Sequence, residues 1–179
     1  MDIITGENLS ENVFNKVYKL MEESFPAEER RTYLEQKALL DNPQYCIYTL
    51  PDSETNDIKA FIAAWKFADF VFIEHFAVNP VYRNGGIGSC MLQEVINQVL
   101  CRICLEVELP DNELAKRRIG FYERNGFVLN HYPYIQPSIS KGQKPLPLLI
   151  MTTDGSIAEE EFQKIRKLLY KYVYHASEM

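Results

Sequence analysis

No apolar run in this chain approaches the roughly 20 residues that a bilayer-crossing helix needs, so no membrane span is expected. The first residues, Met1-Asp2-Ile3-Ile4-Thr5-Gly6-Glu7, lack the charged-then-apolar pattern of an export signal, and the expected compartment is the cytoplasm. No basic run of the kind that neutralises a phosphate backbone is present. Nineteen Lys and Arg stand against 25 Asp and Glu, for a net charge of −6. The densest basic clusters, Arg30-Arg31 and Lys116-Arg117-Arg118, sit inside acidic or apolar sequence, so a nucleic-acid partner is not expected. Cys101-x-x-Cys104 has no second cysteine pair and no spaced histidine pair to complete a metal site, so no metal is expected. In a reducing compartment the four cysteines read as small buried hydrophobes. Internal repeats and low-complexity segments are absent too.

What remains is ordinary for a globular protein: 179 residues, 46% hydrophobic and 25% charged. That suits one domain over 1–179, with a core at 1–153 and a helical extension at 154–179. Periodicity predicts a short strand at 2–5 and a helix at 10–24 carrying Val13, Phe14, Val17, Tyr18, Leu20 and Met21. A second helix is expected from Pro26 to Leu40. Strands follow at 45–50, 58–67 and 70–78. After Gly86 a helix runs through Ile87, Met91, Leu92, Val95, Ile96, Val99 and Leu100. Then come a strand at 103–107, a helix at 114–124 stopped by Asn125-Gly126, and a strand from Phe127. Four prolines between 131 and 147 predict a long loop there. A strand at 146–152 precedes a last helix, 157–174, with Phe162, Ile165, Leu168, Leu169, Tyr172 and Val173 on one side. The order is α/β with a mixed sheet rather than a regular doubly wound one.

The stretch Phe76-Ala77-Val78-Asn79-Pro80-Val81-Tyr82-Arg83-Asn84-Gly85-Gly86-Ile87-Gly88-Ser89 carries the most chemistry. A strand ends, and Arg-x-x-Gly-x-Gly opens an amphipathic helix. The first amides of a helix lack internal partners, and its dipole favours an anion there. Glycines let a backbone approach phosphate oxygens, and Arg83 can add charge-assisted bonds. A tight strand-to-helix turn is the alternative. Neither the Walker loop nor the dinucleotide fingerprint is present.

Ala77-Val78-Asn79-Pro80-Val81-Tyr82, then Arg83 to Gly88, resembles the junction of the GNAT superfamily of N-acetyltransferases. A second family element follows: Asn112, Ala115 and Phe121-Tyr122-Glu123-Arg124-Asn125-Gly126-Phe127. The resemblance spans about 1–153, centred on 58–130. It implies a central mixed, mostly antiparallel sheet flanked by helices, with the C-terminal helix as an addition. It also implies acetyl-CoA as acyl donor and transfer of its acetyl group to an amine.

By position in that family, Phe76, Ala77 and Val78 pair their backbone with pantetheine, as an added strand does. Arg83, Asn84, Gly85, Gly86, Ile87, Gly88 and Ser89 hold the pyrophosphate. Asn112 bonds pantetheine or caps its helix. Tyr122, beside Phe121, lies near the cofactor sulfur and is the expected acid for the departing thiolate, or else a core tyrosine. Regular alternation puts Phe72, Glu74, Phe76 and Val78 on one face and Ile73, His75 and Ala77 on the other. A carboxylate on that apolar face is either a base for the incoming ammonium, its pKa raised by partial burial, or half of an ion pair. His75 is expected to be structural.

The resemblance places an acceptor pocket near Ser24-Phe25-Pro26-Ala27-Glu28-Glu29-Arg30-Arg31 and His131-Tyr132-Pro133-Tyr134-Ile135-Gln136-Pro137. Arg30 or Arg31 is offered to a substrate carboxylate or phosphate, or forms a solvated helix start. The acceptor is a small-molecule or peptide amine that the residues do not specify, and a homodimer is left open. A non-catalytic acyl-CoA sensor and a structural subunit are the competing functions.

Overall fold

The hydroxyl of Ser10 accepts from the Val13 amide and so starts the first helix, α1, Glu11–Ser24. Its apolar stripe of Phe14, Val17, Tyr18, Leu20 and Met21 is buried, against strands β3 (Ile58–Lys66) and β4 (Phe70–Val78). Each such side chain contributes on the order of 1.5–3 kcal/mol of hydrophobic stabilisation. The computed structural model describes residues 4–5, 9–139 and 144–176. Residues 2 and 3 of the expected first strand lie outside them.

The chain divides into two compact units, Met1–Cys101 and Arg102–Met179. In the first, β1 (Ile4–Thr5), β2 (Tyr45–Pro51), β3 and β4 pair in that order, each antiparallel to the next. Trp65, Phe61 and Phe72 are fully buried there. The expected helix from 26 to 40 is broken instead. A 3-10 turn, Ala27–Glu29, gives way to extended chain at Arg30. Helix α2, Tyr33–Ala38, then restarts at Thr32 and passes into a second 3-10 turn, Leu39–Asp41. The restart has a local cause. Thr32 accepts from the Glu35 amide at 3.4 Å while the Glu35 carboxylate accepts from the Thr32 amide at 2.9 Å, a reciprocal cap. Helix α3, Ile87–Gln98, buries Met91, Leu92 and Val95. It ends before Leu100, which is 99% exposed rather than on the apolar face.

In the second unit, β7 (Leu146–Thr152) pairs antiparallel with both β5 (Arg102–Glu108) and β6 (Val128–Gln136). Helix α4, Glu113–Arg124, connects β5 to β6. The proline-rich stretch is therefore not all loop, since β6 continues to Gln136. The ladder tolerates Pro133 because the register shifts between Asn130 and Tyr134, where no donor is required of it. Residues 140–143 of that stretch lie outside the described residues. Helix α5, Glu159–Leu168, has three glutamates in its first turn and Arg166 and Lys167 in its last, matching the helix dipole. A π-type turn, Leu169–Val173, follows. Its wider turn rotates the buried face. Tyr170 and Tyr174 are buried, and Tyr172, expected inside, is half-exposed. Among the described residues no helix is long and apolar enough to cross a membrane, and the four cysteines are free thiols.

Candidate functional site

The turn leaving β4 is built residue by residue. The Asn79 side chain accepts from the Val81 amide at 3.1 Å and donates to the Ile58 carbonyl at 3.3 Å. Pro80–Tyr82 form one 3-10 turn. Arg83 Nε donates to the Val78 carbonyl at 3.1 Å, so this part of the guanidinium braces the strand end. Asn84 and Gly86 both have left-handed backbones, with φ of 67° and 76°. Gly86 is the N-cap of α3 and brings no capping side chain. No side chain therefore caps the start of this helix. Gly85 and Gly86 are exposed. A Cβ on Gly86 would meet nothing within 4 Å, and one on Gly85 only the Tyr82 carbonyl at 4.0 Å. These glycines are not packed against protein. Gly86 serves the backbone conformation, and the outer side of the turn stays open. That arrangement fits an anion such as a pyrophosphate. Ile87, Gly88 and Ser89 open the helix, half-buried.

On β4, Phe76 and Val78 are half-buried and Ala77 is buried. Their pairing partners on β3 are Ile62, Ala60 and Phe61. Upstream the strand departs from regular alternation. Ala63 pairs with His75 and the next residue, Ala64, pairs with Ile73, so Glu74 is an extra, unpaired residue in a bulge. The bulge moves Phe72, His75 and Ala77 to one face and Ile73, Phe76 and Val78 to the other. Glu74 and His75, expected on opposite faces, have side-chain atoms 3.5 Å apart.

Glu74 is not a free base. Its side chain is 3% exposed and its Oε1 lies 2.7 Å from Arg31 Nη1. Burial pushes its pKa up, but the Arg31 guanidinium and contact with His75 outweigh burial and hold it at about 2. The expected rise is corrected to a fall, because partial burial came with a buried cation. Arg31 is correspondingly not a solvated arm. It is buried, and its guanidinium lies 5.9 Å from the centre of the Trp65 ring. Arg30 donates to the Tyr18 hydroxyl at 2.9 Å and sits 3.3 Å from Glu22. His75 is buried and held by protein contacts. Its Nε2 lies 2.8 Å from the Glu29 carbonyl and its ring packs edge-on to Phe25 at 4.8 Å.

In the second unit, Asn112 caps α4, its Oδ1 accepting from the Ala115 amide at 2.9 Å. Phe121 and Phe127 pack edge-on to Tyr122, at 5.2 and 5.7 Å between ring centres. Tyr122 is half-buried. Burial raises its phenol to about 12, against a smaller lowering by Arg118.

Sequence patterns missed one cluster. Glu106 on β5 accepts from the Tyr134 hydroxyl at Oε1, and from Gln136 Nε2 and the Tyr174 hydroxyl, both at 2.6 Å, at Oε2. The tyrosine-rich segment was visible in the sequence, but its convergence with the last helix on one carboxylate was not.

The sequence matches the acetyltransferase (GNAT) family over residues 14–127. A GNAT-family protein of Bacteroides thetaiotaomicron is 36% identical, with 92% of this chain and 93% of that one covered at a TM-score of 0.85. The ribosomal-protein-S18-alanine N-acetyltransferase of Escherichia coli superposes at a TM-score of 0.61 with 19% identity, covering 89% of this chain and 97% of its own. An aminoglycoside 6'-N-acetyltransferase complexed with coenzyme A superposes at 0.64 with 16% identity, covering 86% and 96%. No curated protein matches. The fold is of the α/β type expected, and the chain belongs to the GNAT family of acetyltransferases.

Proposed function

We propose that this protein is an N-acetyltransferase that moves an acetyl group from acetyl-CoA to the amine of a small-molecule or peptide acceptor. One observation carries this function above the rest: an exposed helix N-terminus without a side-chain cap at Gly86, with Asn84 and Gly86 itself left-handed, inside the family-matching segment. The amides from Asn84 to Ser89 and the outer end of Arg83 would hold the pyrophosphate. In the first unit the backbone of Phe76 to Val78 would pair with the pantetheine arm. In the second unit Asn112, Phe121 and Tyr122 are assigned to the cofactor by their place in the family motif. Bound there, acetyl-CoA supplies an activated acyl carbon. Structural neighbours support an amine acceptor, since one is named for an alanine of a ribosomal protein and another for an aminoglycoside.

Tyr122 is the proton donor to a departing thiolate. With its phenol at about 12 it keeps its proton throughout the neutral range. An alkylammonium must lose a proton before it attacks. Glu74, held at about 2, is too weak a base to remove it efficiently, so the amine attacks from its neutral fraction, its proton having passed to water. Glu74 acts here as the partner of Arg31.

Acetyl-CoA is expected to raise the melting temperature, as any ligand selective for the folded state does. An amine panel should then release free CoA thiol. Stabilisation without thiol release from any amine would support a non-catalytic acyl-CoA sensor. No stabilisation at all would refute the cofactor assignment.

A further inference from the structure

Asp52 lies in the turn between β2 and β3, outside every motif picked out in the sequence. Its residue is 6% exposed. At Oδ2 it accepts from the Thr55 hydroxyl at 2.7 Å and the Tyr82 hydroxyl at 2.8 Å. At Oδ1 it meets Lys59 Nζ at 3.0 Å and the Glu54 amide at 3.4 Å. Lys59 in turn lies 5.5 Å from the centre of the Tyr82 ring. The backbone closes around the same residue, Asp52 N donating to the Asp57 carbonyl and Asn56 N to the Asp52 carbonyl. Bonds from Thr55, Tyr82 and Lys59 hold the carboxyl well below the usual range, so it remains an acceptor for the Tyr82 proton at any working pH.

Tyr82 is the last residue of the 3-10 turn that leads into Arg83. The segment beyond it is exposed from Arg83 to Gly86 and contains two left-handed residues, so it has little packing of its own. Two of its restraints are local: Asn79 to Val81, and Arg83 to Val78. The Tyr82–Asp52 bond reaches in from 30 residues away. It ties the turn to a separate hairpin that is itself cross-braced.

We propose that Asp52 is a positioning residue for the cofactor turn: through Tyr82 and Lys59 it fixes Arg83–Ser89 in the geometry that receives the pyrophosphate of CoA, without touching the cofactor. The proposal rests on the acyl-CoA binding proposed above. A row of amides is a good anion site only if it is held before the anion arrives. A loosened turn must be ordered on binding, at the expense of affinity. The effect therefore falls on cofactor binding and not on the chemical step.

The test uses Asp52→Asn, Tyr82→Phe and the double variant, with CoA affinity by calorimetry, steady-state kinetics and amide hydrogen exchange on the full chain. Tyr82→Phe keeps the ring beneath Lys59 and loses one hydroxyl, so it serves if Asp52→Asn folds poorly. Each single variant is expected to weaken CoA binding about tenfold, the scale of one lost bond to a charged group. The double variant should be no weaker than the worse single one, because both remove the same bond. The KM for acetyl-CoA should rise while kcat and the acceptor KM stay put. Exchange should quicken at the Tyr82 and Arg83 amides, which donate to the Asn79 and Pro80 carbonyls at 2.9 and 3.3 Å, and not in α1. Affinities within about twofold of wild type, or losses that multiply in the double variant, would overturn the proposal. Should the wild type bind no CoA, the proposed function falls, and exchange alone decides the strut: quickening confined to 82–89 supports it and unchanged exchange rejects it.

Discussion

Arg31 Nη1 sits 2.7 Å from Glu74 Oε1, with the two side chains 9% and 3% exposed. A buried pair of this kind is costly to break from one side, because the remaining charge keeps its desolvation cost and loses its partner. Arg31→Met is expected to destabilise the protein by roughly 3–5 kcal/mol, measured by urea unfolding. The pH dependence follows from the depressed Glu74 pKa. A carboxyl at about 2 when folded and near 4.5 when unfolded binds fewer protons in the folded state. Its contribution is complete above about pH 4.5 and is lost as pH falls from there toward about 2. Wild type should lose stability across that window more steeply than Glu74→Gln, and a parallel fall in the two would contradict the assignment.

Gly85 and Gly86 separate backbone strain from phosphate access. Gly86→Ala forces a Cβ into a left-handed backbone with open space around it, and should lower stability by about 1–2 kcal/mol. Gly85 carries no such conformation, so Gly85→Val should leave the melting temperature unchanged while abolishing its increase with acetyl-CoA. A retained increase would place the pyrophosphate elsewhere.

Tyr122→Phe keeps the ring between Phe121 and Phe127 and removes only the hydroxyl. CoA affinity should change little while turnover drops about 10²–10⁴-fold, the usual contribution of a positioned acid. An unaltered kcat would reduce Tyr122 to packing.

Tyr174→Phe deletes one of the donors to Glu106 and an acceptor for Gln136 Nε2, 3.0 Å away. A lost bond to a charged group should cost about 1.5–3 kcal/mol in denaturant unfolding. A change below about 0.5 kcal/mol, the range of surface substitutions, would show that the last turn is only loosely docked on β6.

The sequence reveals what is periodic or glycine-marked. The stripe of α1, the start of α3 and the stop at Gly126 all follow from local rules, and each appears where spacing predicted it. What it hides depends on partners distant in sequence. The charge state of Glu74 is set by Arg31, 43 residues away, and nothing near position 74 encodes that cation. The restart of α2 was legible in principle, since Thr32 and Glu35 have capping-box spacing, but the apolar pattern ran across the break. β6 was obscured because Pro133 suggests a loop unless a register shift accommodates it. Tyr170 replaces Tyr172 inside because a π turn changes the period in mid-helix.

The extra residue at Glu74 puts a half-period phase slip into β4. A substitution scan along the strand would show two tolerance rhythms out of step, changing over at one residue. Before the bulge Phe72 shares a face with Trp65; beyond it that face passes to the odd-numbered His75 and Ala77. Inserting or deleting a single residue between Phe70 and Glu74 would preserve composition and length almost entirely, yet would turn the side chains before the slip inside out relative to the part of the strand that follows.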